Sequence, residues 1–278
     1  MEPGRYRGIS NEEYHKGPGI SSSGLGMIAS TPEEYFYSLT HPREETRAMA
    51  VGSAFHKLVL EPEGFDDEFF VMDDAQVCAE IGGAKPRATS KYKEWLEGFL
   101  SANAGKTLLE YGEYEGIKEM AKLIRRRKAF KAISAPGRAE DSFFWRDPEL
   151  GVLCKCRPDY LRDDNYIIDL KTTEDASPAG FTRSVENYRY YVQAAFYIQG
   201  VEAVTGEPVK GFVFVAVEKK PPYLVACYAA DDDMIQAGNE EVRRCLELYE
   251  ECSRTGVWPG YPDEILPLSR PRWATTTA

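Results

Sequence analysis

The chain has no apolar run near the roughly 18 residues a membrane span needs, and its opening MEPGRYRGIS lacks the basic-then-apolar order of a secretory leader. Those absences favour a cytoplasmic protein with no membrane contact. Positive charge is also scarce. The 34 basic residues are outnumbered by 45 acidic ones, for a formal net charge of −11. That excludes a general nucleic-acid coat protein, although an acidic chain can still line one local groove with cations. Cys78, Cys154, Cys156, Cys227, Cys245 and Cys252 have neither zinc-knuckle nor disulfide-framework spacing. They read as reduced core thiols. Internal repeats and low-complexity stretches are missing as well.

What is present suits a globular domain. Hydrophobic residues make up 43% and aromatics 12% of 278 residues, enough for one α/β domain with insertions. Residues 8–135 read as a mainly helical N-terminal part, 136–255 as a sheet with helices, and 256–278 as a tail. Ser21, Ser22 and Ser23 offer caps for a helix starting near Ser22 or Ser23. Thr31-Pro32-Glu33-Glu34 predicts a second start. RAMAVGSAFHKLVLEP should be helical up to Pro62, and residues 63–88 irregular. Residues 89–103 read as an amphipathic helix, and Glu113 to Ile133 as a longer one with Ile117, Met120, Ala121 and Ile124 on one side. The basic run Arg125-Arg126-Arg127-Lys128 fits a solvated helix face as well as a DNA contact.

After SAPGR the pattern becomes extended. DSFFWRD, VLCKCRPDYL and YIIDLKTT predict an antiparallel meander of three strands joined by PELG and RDDN turns. A helix from about Tyr188 to Thr205 follows, then a hairpin of GFVFVAVE and YLVACYAA. Asp231 to Asp233 can cap a last helix ending near Thr255.

The third strand carries an acid and a base on one face. Positions i and i+2 of a strand project together, so Asp169 and Lys171 share a side while Ile168 and Leu170 face the other way. Burying such a pair gains little stability, because desolvation offsets the attraction. Asp159 ends the preceding strand, and a turn at Asp163-Asp164-Asn165 would bring Asp159, Asp169 and Lys171 to one sheet end. Two neighbouring carboxylates repel unless a cation neutralises them. Oxygen ligands suit Mg²⁺ or Mn²⁺, and a lysine beside them can orient a water or stabilise phosphate charge. A solvated hairpin with an incidental ion pair is the competing reading.

The string Pro158-Asp159, nine residues, then Asp169-Leu170-Lys171 resembles the PD-(D/E)xK nuclease pattern. Gly52-Ser-Ala-Phe-His56 and Gln193-Ala-Ala-Phe-Tyr197 are each unremarkable alone, and both His56 and Tyr197 would also suit a packed core. In this order with the acids they resemble the RecB-like branch. YHKGPGISSSGLGMIASTPEEYFY, VGSAFHKLVLEPEGF, FFWRDPELGVLCKCRPDYL, IIDLKTTEDA, YYVQAAFYIQG and WPGYPDEILPLSRPRWA are similar to segments of the RecE-type exodeoxyribonuclease VIII nuclease domain.

That resemblance implies a restriction-endonuclease-like α/β core, αβββαβ, with a mixed sheet flanked by helices. It implies metal ligation by His56, Asp159, Asp169 and the Leu170 carbonyl, usually of Mg²⁺ with Mn²⁺ as the alternative. Lys171 would polarise the attacking water, and Gln193 and Tyr197 would position DNA. Glu140 sits where related enzymes often carry another acid. The family degrades the 5′-ended strand of linear duplex DNA and leaves 3′ overhangs for a RecT-type annealing partner. Its members form rings, with a tetramer in RecE, and are phage- or prophage-type recombination enzymes. A structure-selective endonuclease and a non-catalytic DNA-binding module are the alternatives on the same core.

Overall fold

The computed structural model describes residues 1–41, 46–127 and 135–269. The chain opens with strand β1 (Gly4–Tyr6) and helix α1 (Asn11–Lys16), whose cap Ser10 accepts the Glu13 N–H. Helices α2 (Ser22–Ser30) and α3 (Pro32–Thr40) are capped by Ser21 and Thr31, as the serine run and the Thr-Pro-Glu-Glu segment predict. Helix α4 (Arg47–Leu60) stops short of Pro62.

Residues 63–88, expected to be irregular, contain helix α5 (Phe65–Glu68), strand β2 (Phe69–Met72) and helix α6 (Asp74–Ile81). After helix α7 (Ser90–Ala102), strand β3 (Thr107–Glu110) pairs in parallel with β2. Four-residue strands with a distant partner carry too little periodicity to be read. Helix α8 (Tyr111–Arg126) buries Ile117, Met120, Ala121 and Ile124. The rest of the helix expected to reach Ile133, and Lys128 of the basic run, lie outside the described residues.

The expected meander is divided between two sheets. Its chain order is β4 (Gly137–Ala139), β5 (Ser142–Arg146), β6 (Leu153–Cys156), β7 (Tyr160–Arg162) and β8 (Tyr166–Thr173). Strands β5 and β6 pair with β1 in the order β1-β5-β6. A five-stranded sheet has the order β10-β9-β8-β7-β4 and gains β9 (Gly211–Glu218) and β10 (Val225–Ala229) from later in the chain. The segment read as one strand therefore breaks at Arg157-Pro158-Asp159, where the chain crosses between sheets. Pro158 has no N–H to give a ladder, which favours a break there.

A second crossing lies at Glu140-Asp141, between β4 and β5. Glu140 takes a left-handed φ of 55°, a conformation that costs a non-glycine residue roughly 1–2 kcal/mol. Its N–H donates to the Asp159 carbonyl at 3.2 Å and ties the two crossings together.

Helix α9 (Pro178–Asn187) precedes α10 (Tyr190–Thr205), and α11 (Asp232–Thr255) closes the fold. The sequence reading missed α9, although Ser177 caps it and Pro178 opens it. Strand β8 separates two cores. Ile167 packs with Trp145, Phe196, Phe212 and Phe214 on the α10 and α11 side. Ile168 and Leu170 pack with Phe55, Ile117, Ile124 and Val215 on the α4 and α8 side. At Gly200 of α10 a Cβ would lie 2.5 Å from the Trp145 ring and 2.7 Å from Cys156 Sγ, so glycine permits the close approach of α10 to the β5–β6 sheet. Among the described residues no helix is long and apolar enough to cross a membrane.

Candidate metal and catalytic site

The two crossings place acids where strands end. Asp159 follows β6 and Pro158, Glu140 follows β4, and helix α4 brings His56 over both. One ligand atom from each of His56, Glu140 and Asp159 lies within 4.8 Å of the others. His56 Nδ1 is 3.4 Å from Asp159 Oδ2. The same oxygen accepts the Leu170 N–H at 2.6 Å. The trio lines a cavity of about 400 Å³ whose facing wall is the N-terminal segment, including Ile9, Asn11 and Tyr14.

Asp169 is fully buried beside this trio. Its Oδ1 accepts from Gln193 Nε2 at 3.0 Å, and Oδ2 lies 2.6 Å from Lys171 Nζ. The ammonium approaches outside hydrogen-bonding geometry, so Oδ2 is a buried oxygen with no hydrogen-bond donor among the described residues. Lys171 also stands over the Tyr190 ring at 4.7 Å. The expectation that Asp169 faces an ion while Lys171 faces water differs from this arrangement, in which the two side chains pair. They share one strand face inside an apolar layer, where each is the nearest compensation for the other.

The electrostatics separate the acids. Burial, reinforced by the charge on Asp159, pushes Glu140 up to about 8. Burial also raises Asp169, to about 6, against the pull of Lys171. Burial would raise Asp159 too, but His56, Lys171 and the Leu170 N–H outweigh it and hold it below the usual carboxylate range. Burial disfavours imidazolium at His56, yet Asp159 more than compensates and moves His56 upward. Lys171 is moved upward by Asp169 and Asp159 in spite of burial.

These residues fit a hard divalent cation. An imidazole and two carboxylates pressed together, with the buried Asp169 carboxylate alongside, are groups that a cation would satisfy at once. The Leu170 backbone lies at the same corner. The N–H and C=O of one residue in an extended strand point to the same side. The Leu170 N–H reaches Asp159 where β7 has already ended, since β7 and β8 pair only at Tyr160–Ile168 and Leu161–Ile167. Its carbonyl therefore points toward the same corner.

Of the residues chosen from sequence, the structure gathers His56 and Asp159 in the trio, with Asp169, Lys171 and Gln193 in the adjoining pair. Tyr197 lines the cavity from α10. Glu140 joins the trio directly. The sequence reading missed the N-terminal wall and Arg157, whose one available signal was its place immediately before Pro158-Asp159. A larger cavity, about 750 Å³ between α9 and α11, shares no lining residue with this site.

The mixed sheet, the split meander and the position of Pro158-Asp159 and Asp169-Leu170-Lys171 at one sheet end define a PD-(D/E)xK-type core. The chain belongs to the family described as PDDEXK-like domain of unknown function (DUF3799), whose sequence profile matches residues 21–266. No curated protein matches the chain. Among solved structures, a presumed exonuclease from Eubacterium rectale is similar in fold, with a TM-score of 0.58 and 17% identity. That alignment covers 93% of this chain and 97% of the other. The alkaline exonuclease LHK-Exo from Laribacter hongkongensis aligns over 61% of this chain and 85% of its own, with 16% identity and a TM-score of 0.30, a likeness too slight to argue from.

Proposed function

We propose that the protein is a divalent-metal-dependent deoxyribonuclease that hydrolyses phosphodiester bonds at the ends of linear duplex DNA. The observation that carries this reading is the convergence of His56, Glu140 and Asp159 beside the buried Asp169–Lys171 pair. A cation bound there, Mg²⁺ or Mn²⁺, would neutralise phosphate charge and lower the pKa of an attacking water. Lys171 supplies a positive donor next to that position, able to orient the water and stabilise charge as it develops. Gln193 fixes the Asp169 carboxylate, and Tyr197 shapes the cavity wall where a strand end would lie.

The resemblance to RecE-type nucleases supports a finer reading. The enzyme would degrade the 5′-ended strand, leave 3′ overhangs for a RecT-type annealing protein, and work as a homo-oligomeric ring in phage-type recombination. A ring reconciles the acidic chain with DNA, because only the channel wall need be basic.

The test is release of nucleotides from linear duplex labelled at the 5′ or 3′ end, with Mg²⁺, beside the Asp169→Ala variant. Wild type should release label from the 5′ end first and the variant should not. Cleavage of circular duplex at a comparable rate would favour an endonuclease. Binding without any cleavage would leave a DNA-binding module.

A further inference from the structure

Lys155 and Arg157 are buried cations, 5% and 8% exposed, and neither forms an ion pair among the described residues. Lys155 spends its donors on the end of α1, giving hydrogen bonds to the carbonyls of Tyr14, His15 and Gly17 at 2.8, 3.3 and 2.5 Å. Those carbonyls carry the negative end of a helix, which accounts for a cation there. Arg157 has no such account. Its Nε donates to Ser142 Oγ at 2.7 Å, Nη1 to Asn11 Oδ1 at 2.7 Å and Nη2 to the Ile9 carbonyl at 3.1 Å, all neutral acceptors. The guanidinium also stacks over the Tyr14 ring at 4.2 Å.

A guanidinium has five N–H donors, so two remain. Arg157 lines the cavity that holds His56, Glu140 and Asp159. The acids that act on it through space are Glu140, itself one of that trio, and Glu61, which lines the same cavity. The cavity thus has two unlike walls, one able to hold a divalent cation and one presenting a fixed positive fork. A buried charge whose hydrogen bonds all go to neutral acceptors is costly. An anion bridging the two walls would satisfy both.

We propose that Arg157 is an anion-binding residue of this cavity, and that its two remaining N–H groups take a phosphate oxygen of a nucleic-acid strand lying against the metal-ligating wall. The proposal rests on the nuclease reading for the identity of the anion. Ser142, Asn11 and Ile9 hold the fork in one orientation, so it needs no rearrangement to bind.

The probe is a short fluorescein-labelled blunt DNA duplex, titrated by anisotropy in Ca²⁺ over a range of salt concentrations. Arg157→Gln should weaken binding about ten-fold and reduce the slope of log K against log salt by about 1, one phosphate contact. Since Arg157 also ties three segments together, Asn11→Asp provides a variant that removes no packing. A carboxylate at that position, 2.7 Å from Nη1 in the native pair, would engage the guanidinium and compete with the phosphate.

Asn11→Asp should therefore lose about ten-fold in the wild-type background and little more in the Arg157→Gln background. Unchanged affinity in both single variants, equal losses from Asn11→Asp in both backgrounds, or no binding by wild type overturns the proposal. The nuclease reading fails separately. Arg157-dependent binding by a wild type that does not cleave in Mg²⁺ upholds the anion site and sinks the nuclease. Cleavage by wild type with Arg157-independent binding does the reverse.

Discussion

The Leu170 N–H donates to Asp159 Oδ2 at 2.6 Å, so the strand carrying Asp169 also aims the acid from the neighbouring crossing. Asp159 is thereby shared between His56, the β8 backbone and the cavity. Asp159→Asn keeps the shape and removes the charge. Its affinity for Mn²⁺, measured by titration calorimetry, should fall by at least the roughly 10–100-fold that a partner outside a ligand set costs. Affinity equal to wild type would remove Asp159 from the ligands.

Lys171→Ala separates chemistry from metal binding. Turnover should drop by on the order of 10²–10³, the usual cost of one lost electrostatic donor. Mn²⁺ titration should still show a site. Without the lysine, which now lowers it, the Asp169 carboxyl should titrate above about 6. A variant with wild-type turnover would exclude Lys171 from the reaction.

Stability should depend on pH through Glu140. An unfolded glutamate ionises near 4.5, whereas native Glu140 holds its proton to about 8. Across that window the unfolded state has released a proton that the native state keeps, so ion-free protein loses stability as pH rises and then levels. Asp169 acts in the same direction up to about 6. His56, raised by Asp159, contributes stability below its usual value of 6.5 that is lost as pH climbs through its native one. Urea midpoints in chelator should therefore fall between about pH 4.5 and 8. Saturating Mn²⁺ should reverse the trend, because binding requires the deprotonated carboxylate. A flat profile in chelator would contradict the buried, protonated state of Glu140.

Gly200→Ala tests the packing behind the site. The new Cβ would meet the Trp145 ring and Cys156 Sγ at 2.5 and 2.7 Å. Overpacking of this kind costs about 1–3 kcal/mol, read as a lower urea midpoint at unchanged slope. A neutral result would mean that α10 can lift away from β5 and β6 without loss.

Much of the architecture was legible because periodicity and caps are local signals. Tyr166–Thr173, Gly211–Glu218 and the helix starts after Ser21 and Thr31 were placed from such patterns. The division of the meander was not, since whether β5 pairs with β1 or joins β8 is decided by residues far apart in the chain. The site shows the same split. Asp159, Asp169 and Lys171 were legible through strand alternation and one turn. The position of Glu140 depends on a left-handed residue at a crossing, and that of Arg157 on the N-terminal segment folding back over it. Neither leaves a spacing to read.

The three cavity groups come from pieces of chain that belong to different bodies: α4, the outgoing crossing at Glu140 and the returning one at Asp159. A cation held by all three would work as a rivet through the joint between the two sheets. Loading the site would then clamp the seam as well as arm it. The β1-β5-β6 sheet, which rides on that seam, should exchange its amide hydrogens more slowly in the loaded protein than in the empty one.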